Sequence, residues 1–308
     1  MSRVLVVGAG ATGGFFGAHL VRADRDVTFL ARPARAAALR SEGLRLSTAR
    51  GETALAARSV TAAELDGAYD IVLLSVKADA LPAALDDISP AVGESTVIIP
   101  FLNGVDHIEA IEERFPGRLL GGVVKVAAQL TADSVIAVSG PTASMEIGEL
   151  SGEVSERARR AADVLDVEGY DFSLSNSIRT SLWHKWVFIS AVSVICCTAT
   201  GTIGDVVAVP GGAEFAAAVL EEAVAISGAA GHPLPAAHHE WLHAFVTQAG
   251  SPFAPSLYRD LLDDRHTEVE AVLASFSSVA SGFGIGTPLL NLAVMRLRLH
   301  NRRIAARS

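Results

Sequence analysis

The sequence predicts two consecutive domains of different fold class, an α/β domain with a mostly parallel sheet and then an all-α domain. In the first half, short apolar runs rich in valine, isoleucine and leucine alternate with helix-like segments, which is typical of parallel strands buried on both faces. After Ser177 the pattern is helical almost throughout. Because 308 residues are too many for one small core, we predict domains at residues 1–175 and 176–308.

The elements of the first domain follow from apolar runs that alternate with helical segments. The predicted strands are Val4–Val7, Val27–Leu30, Ile71–Val76 and Thr96–Ile99. The predicted helices are Thr12–Arg22, Ala34–Arg40, Ala80–Leu85, Asp106–Glu113 and Glu153–Leu165. This alternation predicts right-handed crossovers and a parallel sheet. Residues 123–138 are rich in β-branched side chains, and we expect them to add strands that close one edge of that sheet.

The second domain is predicted from long segments separated by proline and glycine. These segments are Thr180–Cys197, Ala213–Ala230, His239–Gln248 and Thr267–Gly282, and the basic tail Arg296–Arg307 predicts a last helix. The arginines of that tail then favour the negative end of the helix dipole. The longest apolar stretch, Trp186–Cys197, falls short of the roughly 20 residues that a membrane span needs. It therefore predicts a buried core helix.

Composition excludes several classes of protein. Hydrophobic residues make up 50% and charged residues 19% of the chain, so we expect a large core and no disorder. The formal net charge of -9 disfavours nucleic acid as a partner. The adjacent Cys196 and Cys197 lie in an apolar run and behave as small buried hydrophobes, because neighbouring cysteines rarely form a disulfide. With no signal-peptide pattern at the N-terminus, we expect a cytoplasmic protein without membrane contact.

The histidines do not form a metal-binding motif. His238, His239 and His243 have helical spacing, but no carboxylate motif accompanies them, so we predict no metal site. His184 points about 100° away from its neighbour Lys185 on a helix, and we expect it to be structural.

A glycine-rich turn follows the first predicted strand. Gly8-Ala9-Gly10-Ala11-Thr12-Gly13 fits the pattern G-x-G-x-x-G between a buried strand and a helix, where this pattern binds the pyrophosphate of a dinucleotide. Gly8 makes the tight turn, Gly10 lets the backbone approach the pyrophosphate, and Gly13 lets helix and strand pack closely. The N–H groups at the start of the helix favour an anion. We therefore predict a Rossmann-like dinucleotide-binding domain whose cofactor-binding residues include Gly8, Gly10, Ala11, Thr12 and Gly13.

The end of the second predicted strand discriminates between the two nicotinamide cofactors. An NAD enzyme usually places a carboxylate there to bind the ribose 2′-hydroxyl. This chain has Leu30-Ala31-Arg32-Pro33-Ala34-Arg35 instead. Arg32 can bind a 2′-phosphate through charge-assisted hydrogen bonds, and Arg35 can assist it. We therefore predict NADPH or NADP+ as the cofactor.

Several short motifs together resemble a known family. Lys77 and Asn103 follow predicted strands, at the edge where an open α/β sheet binds its ligands. In chain order the motifs are the glycine turn, Val76-Lys77-Ala78, Leu102-Asn103-Gly104, Leu182-Trp183-His184-Lys185 and Arg265-His266-Thr267-Glu268. The combination resembles the ketopantoate reductases (2-dehydropantoate 2-reductases) over nearly the whole chain. The glycine turn is generic, whereas the tryptophan-x-lysine and threonine-glutamate motifs are more specific.

The resemblance implies an activity and a role for each matching residue. It implies an NADP-dependent oxidoreductase acting on CH–OH groups, which reduces 2-dehydropantoate to pantoate in pantothenate biosynthesis. Lys185 matches the lysine that protonates the ketone oxygen as hydride arrives, and Glu268 matches the acid that holds substrate and lysine in place. Ser256 matches a serine at the substrate carboxylate, Asn103 an asparagine near nicotinamide and substrate, and Lys77 a lysine at the cofactor edge.

The same residues also have structural interpretations. Lys185 alone would be a solvent-facing lysine on an apolar helix. Ser256 follows a proline and predicts a helix N-cap. Thr267 and Glu270 predict a capping box, which places Glu268 in the first turn of a helix.

Two positions depart from the family pattern. The best-known pantoate-forming members have two asparagines one and two helical turns after the lysine, where this chain has Ile189 and Ser193. Since such positions share a helix face, both are predicted to line the substrate site with Lys185. Ile189 cannot pair with a substrate hydroxyl, and an unpaired hydroxyl in a closed site costs about 1–3 kcal/mol. With Trp186 and Phe188 nearby, a more apolar 2-oxo acid is an alternative substrate.

Other functions stay open at the level of the sequence. Proton donation by Lys185 would equally serve imine reduction, as in opine-type dehydrogenases. A non-catalytic dinucleotide sensor is a further alternative, which Ile189 and Ser193 favour and which the retained Lys185, Glu268 and Asn103 disfavour. The expected partner is a small 2-oxo acid. The apolar surface of the helical domain is compatible with a homodimer, although core burial accounts for the same residues.

Overall fold

The structure is a computed structural model that describes residues 2–307. Its contacts divide the chain into two compact units, one ending at Arg179 and the other beginning at Thr180. The first unit holds both β-sheets and the second is helical, so the predicted order of an α/β domain and an all-α domain is confirmed. The division falls inside a long helix, whereas the sequence prediction placed it just before that helix.

The first unit alternates strands and helices along the chain. Its strands are β1 (Arg3–Val7), β2 (Asp26–Leu30), β3 (Leu44–Thr48), β4 (Gly51–Leu55), β5 (Arg58–Val60), β6 (Tyr69–Leu74), β7 (Val92–Pro100), β8 (Gly121–Leu130), β9 (Val135–Gly148) and β10 (Asp171–Leu174). Its α-helices are α1 (Ala11–Arg22), α2 (Pro33–Glu42), α3 (Leu81–Asp87), α4 (Asp106–Arg114) and α5 (Glu156–Leu165). Short 3-10 turns occupy Ala62–Glu64, Ala78–Ala80 and Ser89–Ala91.

The parallel sheet has five strands in the order β5-β2-β1-β6-β7. Every neighbouring pair in it is parallel. The central strand β1 is buried on both faces, because Val4 and Val6 belong to one core cluster while Leu5 and Val7 belong to the other. The prediction of a parallel sheet from continuous apolar runs is therefore confirmed.

The second sheet was not predicted. The expectation that residues 123–138 close an edge of the parallel sheet was wrong, because β8 and β9 belong to a separate five-stranded sheet with β3, β4 and β10. A single parallel bridge from Ile98 to Leu119 links the segment ahead of β8 to β7. From Lys125 onward β8 alternates exposed and half-buried residues, which is typical of a sheet with one solvated face. The missed strand β3 has a similar alternation, with Leu44 and Leu46 fully buried.

The second unit is built from helices. They are α6 (Ile178–Ala199), α7 (Ile203–Val207), α8 (Gly212–Ala229), α9 (Ala236–Val246), α10 (Ser256–Leu262), a π-helix (Glu270–Ala274), α11 (Ser275–Gly282) and α12 (Pro288–Ala305). The segment predicted as one helix from Thr267 starts later and opens with the π-helix. The predicted last helix is present but begins earlier, at Pro288.

Helix α6 is the central apolar element of the second unit. It has 22 residues, and its most apolar 18-residue window has a mean hydropathy of 1.4, so its length and composition alone would allow a membrane span, and the length argument from Trp186–Cys197 was wrong. However, 61% of its most apolar window is buried within the protein, which supports the predicted core helix. Cys196 and Cys197 are both 0% exposed, and burial raises the pKa of each thiol to about 12.

Candidate active site

The loops that leave the carboxyl ends of the parallel strands lie along one edge of the sheet. The N–H groups of Gly8, Ser75 and Phe101 each donate to the last carbonyl of the neighbouring strand, at 2.8–3.0 Å. These bonds continue the strand register into the loops. The structure therefore brings together at this edge the loop residues that follow β1, β2, β6 and β7, which include Gly8, Arg32, Lys77 and Asn103.

Two glycines of the turn after β1 are required by packing inside the protein. Gly8 has a φ of +95°, and a Cβ there would lie 2.5 Å from the carbonyl oxygen of Ser75. A Cβ on Gly13 would lie 2.3 Å from the carbonyl oxygen of Gly8. Side chains at these positions would push the turn away from the loop after β6. These contacts agree with the roles predicted for the first and third glycines.

The second glycine faces open space at the start of α1. A Cβ built on Gly10 would meet nothing within 4 Å among the residues that the structure describes. Gly10 is the N-cap of α1 and has no side chain to cap the helix, whose first backbone bond runs from the Gly14 N–H to the Gly10 carbonyl at 2.9 Å. The N–H groups of Ala11, Thr12 and Gly13 precede that bond, and such groups bind anions. The turn therefore fits the pyrophosphate of a dinucleotide.

A pocket of about 400 Å³ opens beside this turn, at the ends of β1 and β2. Its lining is mostly alanine and other apolar side chains, and Arg32 and Asp87 are its charged members. The lining residues are Val7, Gly8, Leu30, Ala31, Arg32, Pro33, Thr61, Ala62, Ala63, Val76, Ala80, Ala83, Ala84 and Asp87. An apolar slot of this kind suits an adenine ring, and the exposed Arg32 adds a cation to its lining.

Arg35 is placed differently from the prediction that it assists Arg32. Its Nε donates to the carbonyl of Ala9 at 3.0 Å and its Nη1 to the carbonyl of Ser134 at 3.2 Å. The side chain is half-buried, and burial lowers the pKa of the guanidinium. Arg35 thus contacts the backbone of the glycine turn, and it does not line the pocket that contains Arg32.

The remaining predicted residues of the first unit lie on the loops after β6 and β7. Lys77 is exposed and stands at the start of the 3-10 turn Ala78–Ala80. Asn103 is half-buried and precedes Gly104, whose φ of 76° requires the left-handed region that favours glycine. The chain therefore bends at Asn103 and Gly104 before α4 begins.

In the second unit, α6 carries Lys185, Ile189 and Ser193 at successive turns. Lys185 and Ile189 are half-buried, so their side chains reach the surface. Ser193 is 0% exposed, and among the described residues its Oγ has no hydrogen-bond partner. In this structure Ser193 therefore does not line an open site with the other two.

Trp186, next to Lys185, is a structural anchor. It is 1% exposed and its indole N–H donates to the backbone carbonyl of Val272 at 2.7 Å. In the sequence, Trp186 supported the prediction of an apolar substrate site. Its burial shows that it does not supply an apolar wall for a substrate. Phe188 is half-buried and packs against the rings of Phe245 and Phe253, at 5.3 Å and 5.7 Å between centroids.

The segment around Glu268 is held by α12. The predicted capping box of Thr267 and Glu270 was wrong, because Thr267 donates its N–H and hydroxyl to Asn301 Oδ1, at 2.9 and 3.1 Å. Asn301 returns a bond from Nδ2 to the Thr267 carbonyl at 3.0 Å, and Glu270 pairs with Arg298. Glu268 is half-buried and its carbonyl accepts from the Val272 N–H at 3.1 Å. Glu268 therefore stands just before the helical segment.

Ser256 is the first residue of α10 and is half-buried. The N-cap position belongs to Pro255, and no side-chain capping bond is present there. The predicted N-cap role of Ser256 was wrong because the helix begins at Ser256 itself, one residue earlier than a serine cap requires.

The histidines have structural contacts. His184 Nε2 lies 3.3 Å from the carbonyl of Pro233, and His239 Nε2 lies 2.7 Å from Glu221 Oε1. The His238 ring packs against Trp241 at 5.9 Å. Between residues 2 and 307 no group of three or more histidine, cysteine, aspartate or glutamate side chains is arranged to hold a metal ion.

The structure adds residues that sequence reasoning did not find. Asn301 supports the segment that carries Glu268, and the alanines of α3 line the pocket beside Arg32. The sequence did not point to these residues because alanine has no functional group and because Thr267, the partner of Asn301, lies 34 residues away in the chain. The sequence predicted that Arg35 assists Arg32, whereas Arg35 contacts the carbonyls of Ala9 and Ser134.

Comparison with known proteins identifies the family. A family model described as "Ketopantoate reductase PanE/ApbA" matches residues 4–152, and its companion for the C-terminal part matches residues 177–301. A 2-dehydropantoate 2-reductase of Mesorhizobium japonicum is 30% identical over 322 residues, covering 96% of this chain and 97% of the relative. An uncharacterized oxidoreductase of Bacillus subtilis is 27% identical and covers 97% of this chain and 98% of the relative.

Solved structures agree with this result. A 2-dehydropantoate 2-reductase from Methylococcus capsulatus is 25% identical, with a TM-score of 0.84 and coverage of 98% of each chain. A D-mandelate dehydrogenase with NADH and anilino(oxo)acetate shares the fold at 21% identity, with a TM-score of 0.88 over 99% of this chain and 100% of that chain. The chain therefore belongs to the ketopantoate reductase family, and it is an oxidoreductase of 2-oxo acids that works with a nicotinamide dinucleotide.

Proposed function

We propose that this protein reduces a 2-oxo acid to the 2-hydroxy acid with NADPH, and that 2-dehydropantoate is its substrate. The observation that carries the choice of NADPH is the pocket that runs from Gly8 to the exposed Arg32. The strand β2 ends without a carboxylate of its own to repel a 2′-phosphate, and Asp87 is the acidic side chain in the lining of the pocket. The choice of 2-dehydropantoate as the substrate rests on the relatives that are named 2-dehydropantoate 2-reductase.

The residues of the first unit would bind and orient the cofactor. The N–H groups at the start of α1 would hold the pyrophosphate, and Arg32 the 2′-phosphate. Lys77 and Asn103 follow β6 and β7 at the same edge of the sheet, where we assign Lys77 to the cofactor and Asn103 to the nicotinamide and substrate. When bound, the reduced nicotinamide supplies a hydride to the substrate carbonyl carbon.

The residues of the second unit would handle the proton and the substrate. The Lys185 ammonium would stabilise the alkoxide that develops on the carbonyl oxygen and then protonate it, so that a C–H and an O–H bond replace the C=O π bond. The lysine would regain its proton from solvent. We assign Glu268 to holding Lys185 and substrate in place, and Ser256 to the substrate carboxylate.

The test is NADPH oxidation with 2-dehydropantoate by the wild type and by Lys185→Ala. We expect turnover in the wild type and a loss of about 100-fold or more in kcat for the variant, with NADPH affinity unchanged. NADH should be used with a lower kcat/KM than NADPH. Wild type that binds NADPH but reduces neither 2-dehydropantoate nor any other 2-oxo acid would contradict the proposal and favour imine reduction or a sensor.

A second candidate substrate is a more apolar 2-oxo acid, and Ile189 is the observation that favours it. Ile189 reaches the surface of α6 one turn after Lys185, and it cannot pair with the terminal hydroxyl of 2-dehydropantoate. The assay should therefore include 2-oxo-4-methylpentanoate and phenylglyoxylate. If an apolar acid is the substrate, Ile189→Asn should lower its kcat/KM and raise that for 2-dehydropantoate. If 2-dehydropantoate is the better substrate of the wild type, the second candidate is wrong.

The proposal places the enzyme in the cytoplasm as a homodimer. Its two cysteines are unbridged and buried, as expected in a reducing compartment. A ketopantoate reductase of Staphylococcus aureus with the same fold is described as dimeric. Light scattering of the purified protein would give the mass in solution, and a monomer at micromolar concentration would contradict the dimer.

A further inference from the structure

The guanidinium of Arg35 joins two backbone segments that are distant in the sequence. One is the glycine turn, through the carbonyl of Ala9, and the other is the turn between β8 and β9, through the carbonyl of Ser134. Ser134 has a φ of 62°, a conformation that is uncommon for a residue other than glycine. Arg45 Nη1 contacts the neighbouring carbonyl of Asp133 at 3.4 Å, so two arginines hold this turn.

The bond to Ala9 determines which way one peptide group of the glycine turn faces. The peptide between Ala9 and Gly10 is trans, so its C=O and N–H point in opposite directions. While Arg35 holds the Ala9 carbonyl, the Gly10 N–H must face away from Arg35. If this peptide rotated, its carbonyl oxygen would replace the N–H, and a carbonyl oxygen repels a phosphate.

We propose that Arg35 is a positioning residue for the phosphate-binding turn, which acts on the pyrophosphate that NADPH and NADH share and does not contact the 2′-phosphate. This inference rests on the proposed binding of a dinucleotide at the turn. It separates the roles of two arginines on neighbouring turns of the chain. Arg32 distinguishes the cofactors, and Arg35 keeps the turn ready for either of them.

The surroundings of Arg35 strengthen its effect on an anion. Its Nη2 is buried and has no hydrogen-bond acceptor among residues 2–307, so part of the positive charge is held out of water. A charge with little solvent around it acts on a nearby anion with less screening than an exposed one. Burial lowers the pKa of Arg35, yet a guanidinium stays protonated at neutral pH.

The test uses four probes with the full-length protein in titration calorimetry. NADPH carries pyrophosphate and 2′-phosphate, NADH and ADP-ribose carry only the pyrophosphate, and adenosine 2′-monophosphate carries only the 2′-phosphate. We expect Arg35→Ala to lower the affinity for NADPH, NADH and ADP-ribose by a similar factor of about ten. The affinity for adenosine 2′-monophosphate should stay unchanged. Arg32→Ala should instead lower the affinity for NADPH and adenosine 2′-monophosphate and leave the affinity for NADH and ADP-ribose unchanged. Arg45→Ala, which removes an arginine from the same turn without touching Ala9, should leave all four unchanged.

Each other outcome would overturn the inference in a recognisable way. If Arg35→Ala weakens NADPH and adenosine 2′-monophosphate but neither NADH nor ADP-ribose, Arg35 is a second ligand of the 2′-phosphate. If no affinity changes, Arg35 has no role in binding. Should Arg35→Ala fail to fold, Arg35→Lys keeps a charge that can reach one carbonyl, and an unchanged affinity for the three pyrophosphate probes would contradict the inference. A wild type that binds none of the probes would refute the proposed function itself.

Discussion

The indole N–H of Trp186 donates to the backbone carbonyl of Val272 across 2.7 Å, and the Ser190 hydroxyl approaches the same oxygen at 3.5 Å. Val272 lies in the π-helix that follows Glu268. This bond links the helix of Lys185 to the segment that follows Glu268, so a buried hydrogen bond connects the two elements that carry these proposed site residues. A π-helix redirects backbone carbonyls, and such segments are frequent at functional sites.

Replacement of Trp186 by phenylalanine should destabilise the helical unit. The variant keeps aromatic contacts with Phe276, whose ring lies 4.7 Å away, but it removes the indole N–H that donates to the buried Val272 carbonyl. We expect the free energy of unfolding to fall by about 1–3 kcal/mol from the lost bond, measured by urea denaturation at neutral pH. Trp183→Phe is the matched control, because the Trp183 indole makes no hydrogen bond within residues 2–307. An equal loss in both variants would show that packing and not the bond is responsible.

Asn301→Ala should lower kcat more than it affects NADPH binding. Asn301 makes three hydrogen bonds to Thr267, the residue before Glu268. Without them the segment can shift, and a displacement of about 1 Å can reduce the rate about 100-fold. Steady-state kinetics would give kcat and the KM for NADPH, which we expect to stay unchanged. Asn291→Ala on the same helix removes an exposed amide that accepts from Ser277, and it should leave kcat alone.

Gly10 and Gly13, two glycines of the turn, should respond differently to alanine. A Cβ on Gly13 would approach the Gly8 carbonyl to 2.3 Å, whereas a Cβ on Gly10 would meet no atom of residues 2–307 within 4 Å. We expect Gly13→Ala to lower the melting temperature. Gly10→Ala should fold normally and lose about tenfold or more in NADPH affinity, because its methyl group would occupy the space for the pyrophosphate. Normal NADPH binding by Gly10→Ala would contradict the assignment of that space.

The ion pair of Glu149 and Arg157 should make stability depend on pH. Hydrogen bonds from Arg157 and Ser155 lower the pKa of the Glu149 carboxyl. Because the folded-state pKa lies below the unfolded value, the stabilisation is complete above the unfolded value and is lost as pH falls through the folded one. At pH 7 we expect Glu149→Gln to lose about 1–3 kcal/mol, since it weakens the hydrogen bonds between Glu149 and a partly buried arginine.

Urea denaturation at several pH values would check this prediction. The difference between wild type and Glu149→Gln should shrink as the pH falls below the ordinary range of a glutamate carboxyl. Glu156→Gln is the control, because Glu156 pairs with Arg160 at the surface, where its side chain is 82% exposed. That variant should lose at most about 0.5 kcal/mol. A difference for Glu149→Gln that does not change with pH would contradict the electrostatic explanation.

The two cysteines should be inert in the folded protein. Both are 0% exposed, and burial raises the pKa of each thiol to about 12. The reactive thiolate is then scarce at neutral pH and also shielded from reagents. Titration with a disulfide reagent should detect no fast-reacting thiol in the native protein and two after denaturation in urea. A fast-reacting thiol in the native state would show that the end of α6 opens locally.

The sequence by itself determined the features that depend on neighbouring residues. The apolar run Val4–Val7, the glycines after it and the helix Ala11–Arg22 are contiguous, so strand, turn and helix follow from local preferences. The absence of a carboxylate after β2 is also read from neighbouring residues, and it led to the prediction that Arg32 binds a 2′-phosphate. The motif around Lys185 indicated the family, which the comparisons confirmed.

Only the tertiary structure decided which residues distant in the chain support the site. Arg35 and Ser134 are 99 residues apart, and Thr267 and Asn301 are 34 apart. The pairing of β8 and β9 into a second sheet and the burial of Ser193 likewise depend on segments that meet after folding. Each such contact forms because the packing of whole elements brings two groups together, and the local preferences of either segment do not encode its partner.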